Sequence, residues 1–207
     1  MSRNVKQGPA ASARSVTPEL RQVSDVRAIR ALAHPVRIAL IEALSLHGPQ
    51  TATQAGERIG ESPTTCSFHL RQLAKYGFVE EAGGGTGRAR PWKMTSIGLS
   101  IHGGDDAESE LAAATLARLL RERQLARYQT WLETRSMFPQ RWRTAATESE
   151  HVFYVTLEEF EALNEELHLL LTSRFRERLT DPSTRPAGAI PVELLLYTYP
   201  IAPGPEA

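Results

Sequence analysis

The sequence holds a single cysteine, Cys66, and no uninterrupted apolar stretch approaching the ~18 residues that a membrane-crossing helix requires. A lone thiol forms no internal disulfide and builds no thiolate cluster, so disulfide scaffolding, redox chemistry and a cysteine-rich metal centre are not expected. The first residues also lack the charged, apolar and small-residue succession of a secretory leader, which makes a cytoplasmic protein with no membrane partner the expectation. Signatures of catalysis are missing as well. No nucleophile–base pair stands out, and no carboxylate pair flanks a glycine-rich turn. The glycine cluster "GGGTG" at 83–87 lacks both the strand–loop–helix order and the Gly-Lys-Ser/Thr ending of a phosphate loop. Neither an enzymatic activity nor a cofactor is expected.

Net charge is lacking too, but its distribution is informative. The 207 residues carry 24 Lys plus Arg and 24 Asp plus Glu. Residues 1–100 hold 13 cations against 7 anions, and residues 101–207 hold 11 against 17. A basic half within a neutral chain suits contact with a polyanion, from which the acidic half is repelled. At 41% apolar residues the composition is that of an ordinary globular protein.

Residues 1–16, polar and small with Arg3, Lys6 and Arg14, read as a flexible tail. Thr17-Pro18 offers a helix start, and Asp25 is a good N-cap for "VRAIRALA", whose inner side is Ile29, Leu32 and Ala33. His34 precedes Pro35 and is pushed out of the helical region, so one helix ends there and Pro35 opens the next, "PVRIALIEAL". Its apolar residues Val36, Leu40, Ile41 and Leu44 recur at helical spacing.

Next, "TATQAGERIGESPTTCSFHLRQLAKYG" contains two short helical patterns separated by about four residues that include Gly60, the arrangement of a helix-turn-helix. In the second pattern Ser62 caps, Pro63 occupies the first helical position and Gly77 closes the last turn. Cys66, Leu70 and Leu73 form the inward stripe, which makes Cys66 a small core residue. Phe68 lies about 200° round from Cys66 at ~100° per residue, and Thr64, Ser67, Arg71 and Lys75 share its side. Short hydroxyls, an apolar group able to meet a thymine methyl and an Arg able to bond guanine twice are what the DNA major groove requires. A merely solvated helix face accounts for the Thr, Ser, Arg and Lys but poorly for an outward Phe. Two extended runs come after it, Phe78 to Glu81 and Arg90 to Thr95, around a glycine-rich tip; Arg88, Arg90 and Lys93 supply charge for phosphates or a narrow minor groove.

Together, "ALAHPVRIALIEAL", "CSFHLRQLAKYGFVEE" and the glycine-tipped hairpin resemble the winged helix-turn-helix domain of the ArsR family of bacterial transcriptional regulators, over roughly Asp25 to Ile101. The resemblance implies a homodimer on an imperfect palindromic operator of double-stranded DNA, usually as a repressor. It also implies base contacts from Thr64, Thr65, Ser67 and Phe68, with Ser62 at the helix start, and it matches His69-Leu70 to the family's His-Leu step. The family often has His where this chain has Phe68. Many members sense metals through cysteine pairs, which the corresponding "TATQAGERIG" lacks. Glu165 and His168 stand three residues apart downstream but read as an ordinary surface pair, so no metal site is expected.

The second half is larger than such a domain needs. After the linker "GGDDAESE", with Asp105 or Asp106 as cap, a helical stretch from about Glu108 to Met137 reads as one long helix or one kinked near "RERQ". Its stripes, Leu116, Leu119 and Leu120 and then Leu125, Tyr128 and Leu132, are out of phase, so it is no free-standing coiled coil and serves as the expected subunit contact. Beyond it, Thr156 and Glu159 form a capping box for a helix with Leu157, Phe160, Leu163, Leu167, Leu170, Leu171 and Phe175 inward, flanked by apolar strands "HVFYVT" and "PVELLLYTY". This half holds 10 of the 14 aromatics, which either fill its core or line a pocket for a small-molecule effector.

The expected fold is mainly α (α+β): a tail at 1–16, a winged helix-turn-helix domain at 17–102, a linking and dimerisation helix at 103–138, a C-terminal α+β module at 139–200 and a short tail at 201–207. The expected function is sequence-specific DNA binding, with helix 63–76 in the major groove and wing 82–93 on the backbone or minor groove. A ligand-gated regulator and a winged-helix protein–protein module are the alternatives.

Overall fold

The computed structural model describes residues 20–83, 90–101, 103–104 and 106–202. The element order is β1 (Leu20–Val23), α1 (Val26–Leu32), α2 (Pro35–His47), α3 (Ala52–Ile59), α4 (Pro63–Lys75), β2 (Val79–Glu81), β3 (Trp92–Met94), β4 (Gly98–Ile101), α5 (Ala107–Thr134), α6 (Gln140–Ala145) and α7 (Leu157–Thr180), with single 3₁₀ turns at Arg135–Met137 and Pro182–Thr184. The helical predominance and the winged helix-turn-helix stand as expected.

Local signals place most boundaries. The Asp25 carboxylate accepts the Arg27 amide, and His34 caps α2 through its ring Nδ1, which accepts the Val36 N–H at 3.2 Å. Thr51 and Gln54 form a reciprocal capping box on α3, and Ser62 caps α4 with Pro63 inside the first turn. The sequence reading differs at the domain's first element. Thr17 and Pro18 lie outside the described residues, and the chain from Leu20 is a strand rather than a helix: β1 runs parallel to β4 with Leu20 opposite Gly98 and Val23 opposite Ile101. A four-residue strand that buries Val23 suits an edge strand docked on a domain already built, a long-range pairing that local pattern does not signal.

The core draws on α1 to α4, Phe78 and Val79, and the first turns of α5. Ile29, Leu40, Cys66, Leu70, Leu73, Phe78 and Leu116 are wholly buried in one cluster. Helix α5 is unbroken through "RERQ" and, at 28 residues, ~42 Å long. Its first half belongs to the N-terminal core, where Ala112, Ala113 and Leu116 pack, while Leu125 and Leu132 further along are exposed. Midway, the Arg123 and Arg127 guanidiniums hold the Glu42 carboxylate of α2, and Arg127 also holds Glu193 at 2.5 Å. Burial works to raise the Glu42 carboxyl, but the hydrogen bonds and charge of the two arginines win and hold it below the usual carboxylate range.

The C-terminal half departs from expectation in one respect. The capping box of Thr156 and Glu159 opens α7 as anticipated. The flanking segments, however, are extended without joining a sheet: the strand pairings are β1 with β4 and β2 with β3 only, among the described residues. With no sheet laid over it, the apolar stripe of α7 is not a core. Leu157, Leu170 and Phe175 are exposed, and Phe160, Leu163, Leu167 and Leu171 are only half-buried. Trp142, Phe153, Tyr154, Tyr197 and Tyr199 all face solvent, and the open hollow of about 690 Å³ beside α6 is lined by Pro139, Gln140, Arg141, Thr144 and Ala145.

Candidate nucleic-acid interface

Helix α4 is fixed at both ends, so the side it presents is defined. At its start the Ser62 hydroxyl accepts the Thr65 amide at 3.0 Å and exchanges a 2.8 Å bond with the Thr65 hydroxyl. At its end Gly77, with φ of 72°, takes the left-handed turn that a side chain disfavours. The Gly77 N–H donates to the Ala74 carbonyl at 2.8 Å and the Phe78 N–H to the Leu73 carbonyl at 3.0 Å, satisfying the last turn's orphan acceptors. Arg21 of β1 completes the end: its guanidinium donates to the Tyr76 carbonyl at 2.5 Å and lies 4.5 Å over the Phe78 ring. No feature near Arg21 in the sequence signals this role, because it depends on the β1–β4 pairing.

With Cys66, Leu70 and Leu73 wholly buried, the opposite side of α4 is bare. Thr64, Phe68, Arg71 and Lys75 are exposed, Phe68 at 55%, and Ser67 is half-buried at the margin. The large apolar ring is supported from behind by the buried His69, which it meets edge-on at 5.1 Å. Ser62 and Thr65 sit at the same end, but their hydroxyls are engaged with each other and with the helix start. The structure thus brings Thr64, Ser67, Phe68, Arg71 and Lys75 together and gives Ser62 and Thr65 a capping task.

The hairpin stands directly behind this helix. Strand β2 pairs antiparallel with β3, Val79 opposite Met94 and Glu81 opposite Trp92, and a further bridge joins Trp92 to Gln50 before α3. Arg88 lies outside the described residues. The other two wing cations are matched by carboxylates of β2: Arg90 with Glu81 at 2.8 Å and Lys93 with Glu80 at 3.1 Å. Both pairs are exposed, where such ion pairs hold weakly and an incoming phosphate can compete.

A pair of histidines sits beneath the exposed stripe. The rings of His34 and His69 meet at 4.5 Å between centroids, tilted by 38°, joining the start of α2 to the middle of α4, and the Nδ1 of His69 is buried without a hydrogen-bond partner. Burial lowers the affinity of both imidazoles for a proton; the neighbouring His34 adds to this at His69, Arg37 disfavours the charge at both, and Glu61 opposes only in part. Both folded values therefore lie below the unfolded one of about 6.5. Their neutral form stabilises the fold fully above pH ~6.5, and that contribution is lost as pH falls through the folded values. Urea midpoints measured from pH 8 down to 5 are expected to fall, with a shallower fall in His69→Gln; equal slopes would refute the assignment. Two histidines 35 positions apart carry no local pattern that announces their contact, whereas the helix boundary at His34 was legible from the proline next to it.

Comparison with known proteins bears on this geometry. Residues 32–82 match the family of helix-turn-helix domains. The chain carries a winged helix-turn-helix domain. The match runs from the end of α1 to the end of β2 and so includes the whole of α4, which supports a DNA-binding transcriptional regulator. No curated protein matches the chain. Among solved structures, a MarR family regulator from Neisseria meningitidis is similar at 18% identity, over 70% of this chain and 79% of that one, with a TM-score of 0.31; a likeness so distant carries no argument. No helix among the described residues is long and apolar enough to cross a membrane, and no group of three or more His, Cys, Asp or Glu among them gathers as a metal site.

Proposed function

We propose that the protein is a sequence-specific regulator of the ArsR type that binds double-stranded operator DNA as a homodimer, α4 in the major groove and the wing on the backbone or minor groove, and that it acts as a repressor. The observation that carries this reading is the exposed Phe68 set among Thr64, Arg71 and Lys75 on a helix whose other side is wholly buried. An exposed ring costs free energy in water and gains from a thymine methyl, while Arg71 one turn further on suits guanine. Around it, the proposed organisation is a reading domain at 17–102, a linking helix at 103–138 that contributes to the subunit contact and a C-terminal module at 139–200.

The test is selection of bound duplexes from a random pool, followed by titration of the recovered site. Inverted half-sites and an affinity that falls steeply with salt are expected. Arg71→Ala is expected to cost about 1–3 kcal/mol of binding and to relax preference at one base position, whereas changes at Arg88 weaken all sequences alike. Unchanged affinity and preference in Arg71→Ala would remove α4 from the role of reader. Weak and non-selective association of the parent chain would favour a protein–protein module instead.

A ligand-gated form of the same function is favoured by one observation. Through Arg127 the segment at Glu193 is tied to Glu42 of the reading domain, so a molecule that displaces the segment has a route to α2. Thermal-shift screening of the full chain, with duplex affinity measured for each compound that raises the midpoint, separates this form from an ungated one.

A further inference from the structure

Three cations of the reading domain pair with carboxylates: Arg30 with Glu108, Arg90 with Glu81 and Lys93 with Glu80. Arg37, in the first turn of α2, has no such partner. It is half-buried, forms no ion pair among the described residues, and its Nε is buried without a hydrogen-bond partner. Its electrostatic neighbours are the His34 and His69 imidazoles and the Tyr76 phenol, while Glu61, the carboxylate that acts on both histidines, makes no ion pair with it. His69 and Tyr76, seven residues apart, share one side of α4, ~80–100° round from Phe68. Arg37 therefore lies along the flank of the exposed stripe. Arg21 repeats the pattern at the helix end: Nη2 bonds the Tyr76 carbonyl, while Nη1 is buried without a partner. A hollow of about 350 Å³ beside it includes Lys75 and Tyr76 in its lining. Lys75 is exposed, lies 5.6 Å over the Tyr76 ring and forms no ion pair among the described residues. The one carboxylate on that lining, Asp25, is engaged with the Arg27 amide as the cap of α1.

We infer that Arg37 and the Arg21–Lys75 hollow hold backbone phosphates of the DNA strand that borders the groove read by α4. The inference rests on the DNA reading proposed above and deepens it, adding Arg37 and Arg21 to the residues that dock the helix. A half-buried guanidinium without a counter-charge is costly to the free protein, and an uncharged side chain of similar length would fill the same place without that cost. Burial accordingly lowers the proton affinity of both arginines. A phosphate oxygen supplies the two things they lack, a negative charge and an acceptor. Cations from α2, β1 and α4 gathered around Tyr76 suit a continuous chain of phosphates better than a single free ion. Such contacts fix the register and tilt of α4 on the duplex and carry no base preference of their own.

The full-length chain and its Arg37→Gln variant are titrated with the selected duplex over a range of salt concentrations. In Arg37→Gln the slope of log affinity against log salt is expected to fall by about 0.9, which is about eightfold in affinity at ~0.1 M salt and nothing near ~1 M, with base preference unchanged. Its urea midpoint is expected to equal or exceed that of the parent, because the lost charge had no partner in the free protein. An unchanged slope would overturn the inference, as would an affinity loss that a lowered midpoint accounts for. Duplexes carrying single neutral methylphosphonates then locate the contact: at one backbone position the substitution weakens the parent and leaves Arg37→Gln unaffected. Equal losses in both proteins at every position would also overturn it. Failure of the DNA reading looks different: the parent selects no duplex, and both proposals fall. An unchanged slope in Arg37→Gln beside relaxed preference in Arg71→Ala removes the phosphate site and leaves the reading standing.

Discussion

Phe78→Ala is expected to lower the stability of the reading domain by about 3–5 kcal/mol, the largest loss of any single substitution considered. Its ring is wholly buried at the point where α4 hands over to the hairpin, and three things converge on it. The Phe78 amide donates to the Leu73 carbonyl, its ring packs in the same cluster as Leu73, and the Arg21 guanidinium covers its face. Removing the ring opens a cavity against backbone that cannot collapse, because Thr95 is hydrogen-bonded to the carbonyls of both Gly77 and Phe78, at 2.7 Å and 3.1 Å. It also leaves the half-buried Arg21 charge without its aromatic partner. The urea midpoint reports the total. Amide exchange across residues 70–80 is expected to show the end of α4 opening before α1 and α2. A loss of under ~1 kcal/mol would mean that the site relaxes freely and that the handover is not a fixed joint.

That joint was half legible in the sequence. Gly77 and the inward period of Cys66, Leu70 and Leu73 announce where α4 ends and which side is buried, since a cap and an amphipathic stripe are written within a dozen residues. Arg21 is invisible at that range, because its contact with Tyr76 spans 55 positions and arises from a parallel pairing of two short strands. The same division runs through the site. The exposure of Phe68 and Arg71 results from helix geometry alone, but the pairing of Arg90 and Lys93 with Glu81 and Glu80 depends on hairpin register. Ser62 and Thr65 offer hydroxyls that suit a base or a cap equally well by type, and only the geometry of the helix start shows the cap taking them. In the C-terminal half "HVFYVT" and "PVELLLYTY" read as strands, and the structure leaves both segments extended but outside any sheet. A strand exists only through its partner, which local pattern does not name, and among the described residues these segments pair with no strand.

Gly56→Ala is expected to cost about 2–3 kcal/mol, reversing the sign that helix propensity alone would give. In an ordinary helix interior the change stabilises by ~1 kcal/mol, because glycine loses more backbone entropy on folding. Gly56 is buried in α3 where that helix crosses the turn into α4, and a Cβ there would lie 2.5 Å from the Glu61 carbonyl oxygen and 3.4 Å from the Cys66 sulfur. The first of these is backbone and cannot swing aside. It also belongs to a residue whose own amide donates to the Gly56 carbonyl at 3.0 Å, so the two segments are held together at both polar atoms. Relief requires α3 and the turn to separate, which moves the start of α4 relative to the rest of the domain and with it Thr64, Ser67 and Phe68. Stability and duplex affinity are therefore expected to fall together, affinity by more than the unfolded fraction accounts for. Gly83→Ala, where an added Cβ meets nothing, serves as the neutral comparison. A neutral or stabilising Gly56→Ala would show that the α3–α4 crossing has slack, and the defined aim of the α4 face would lose its physical basis.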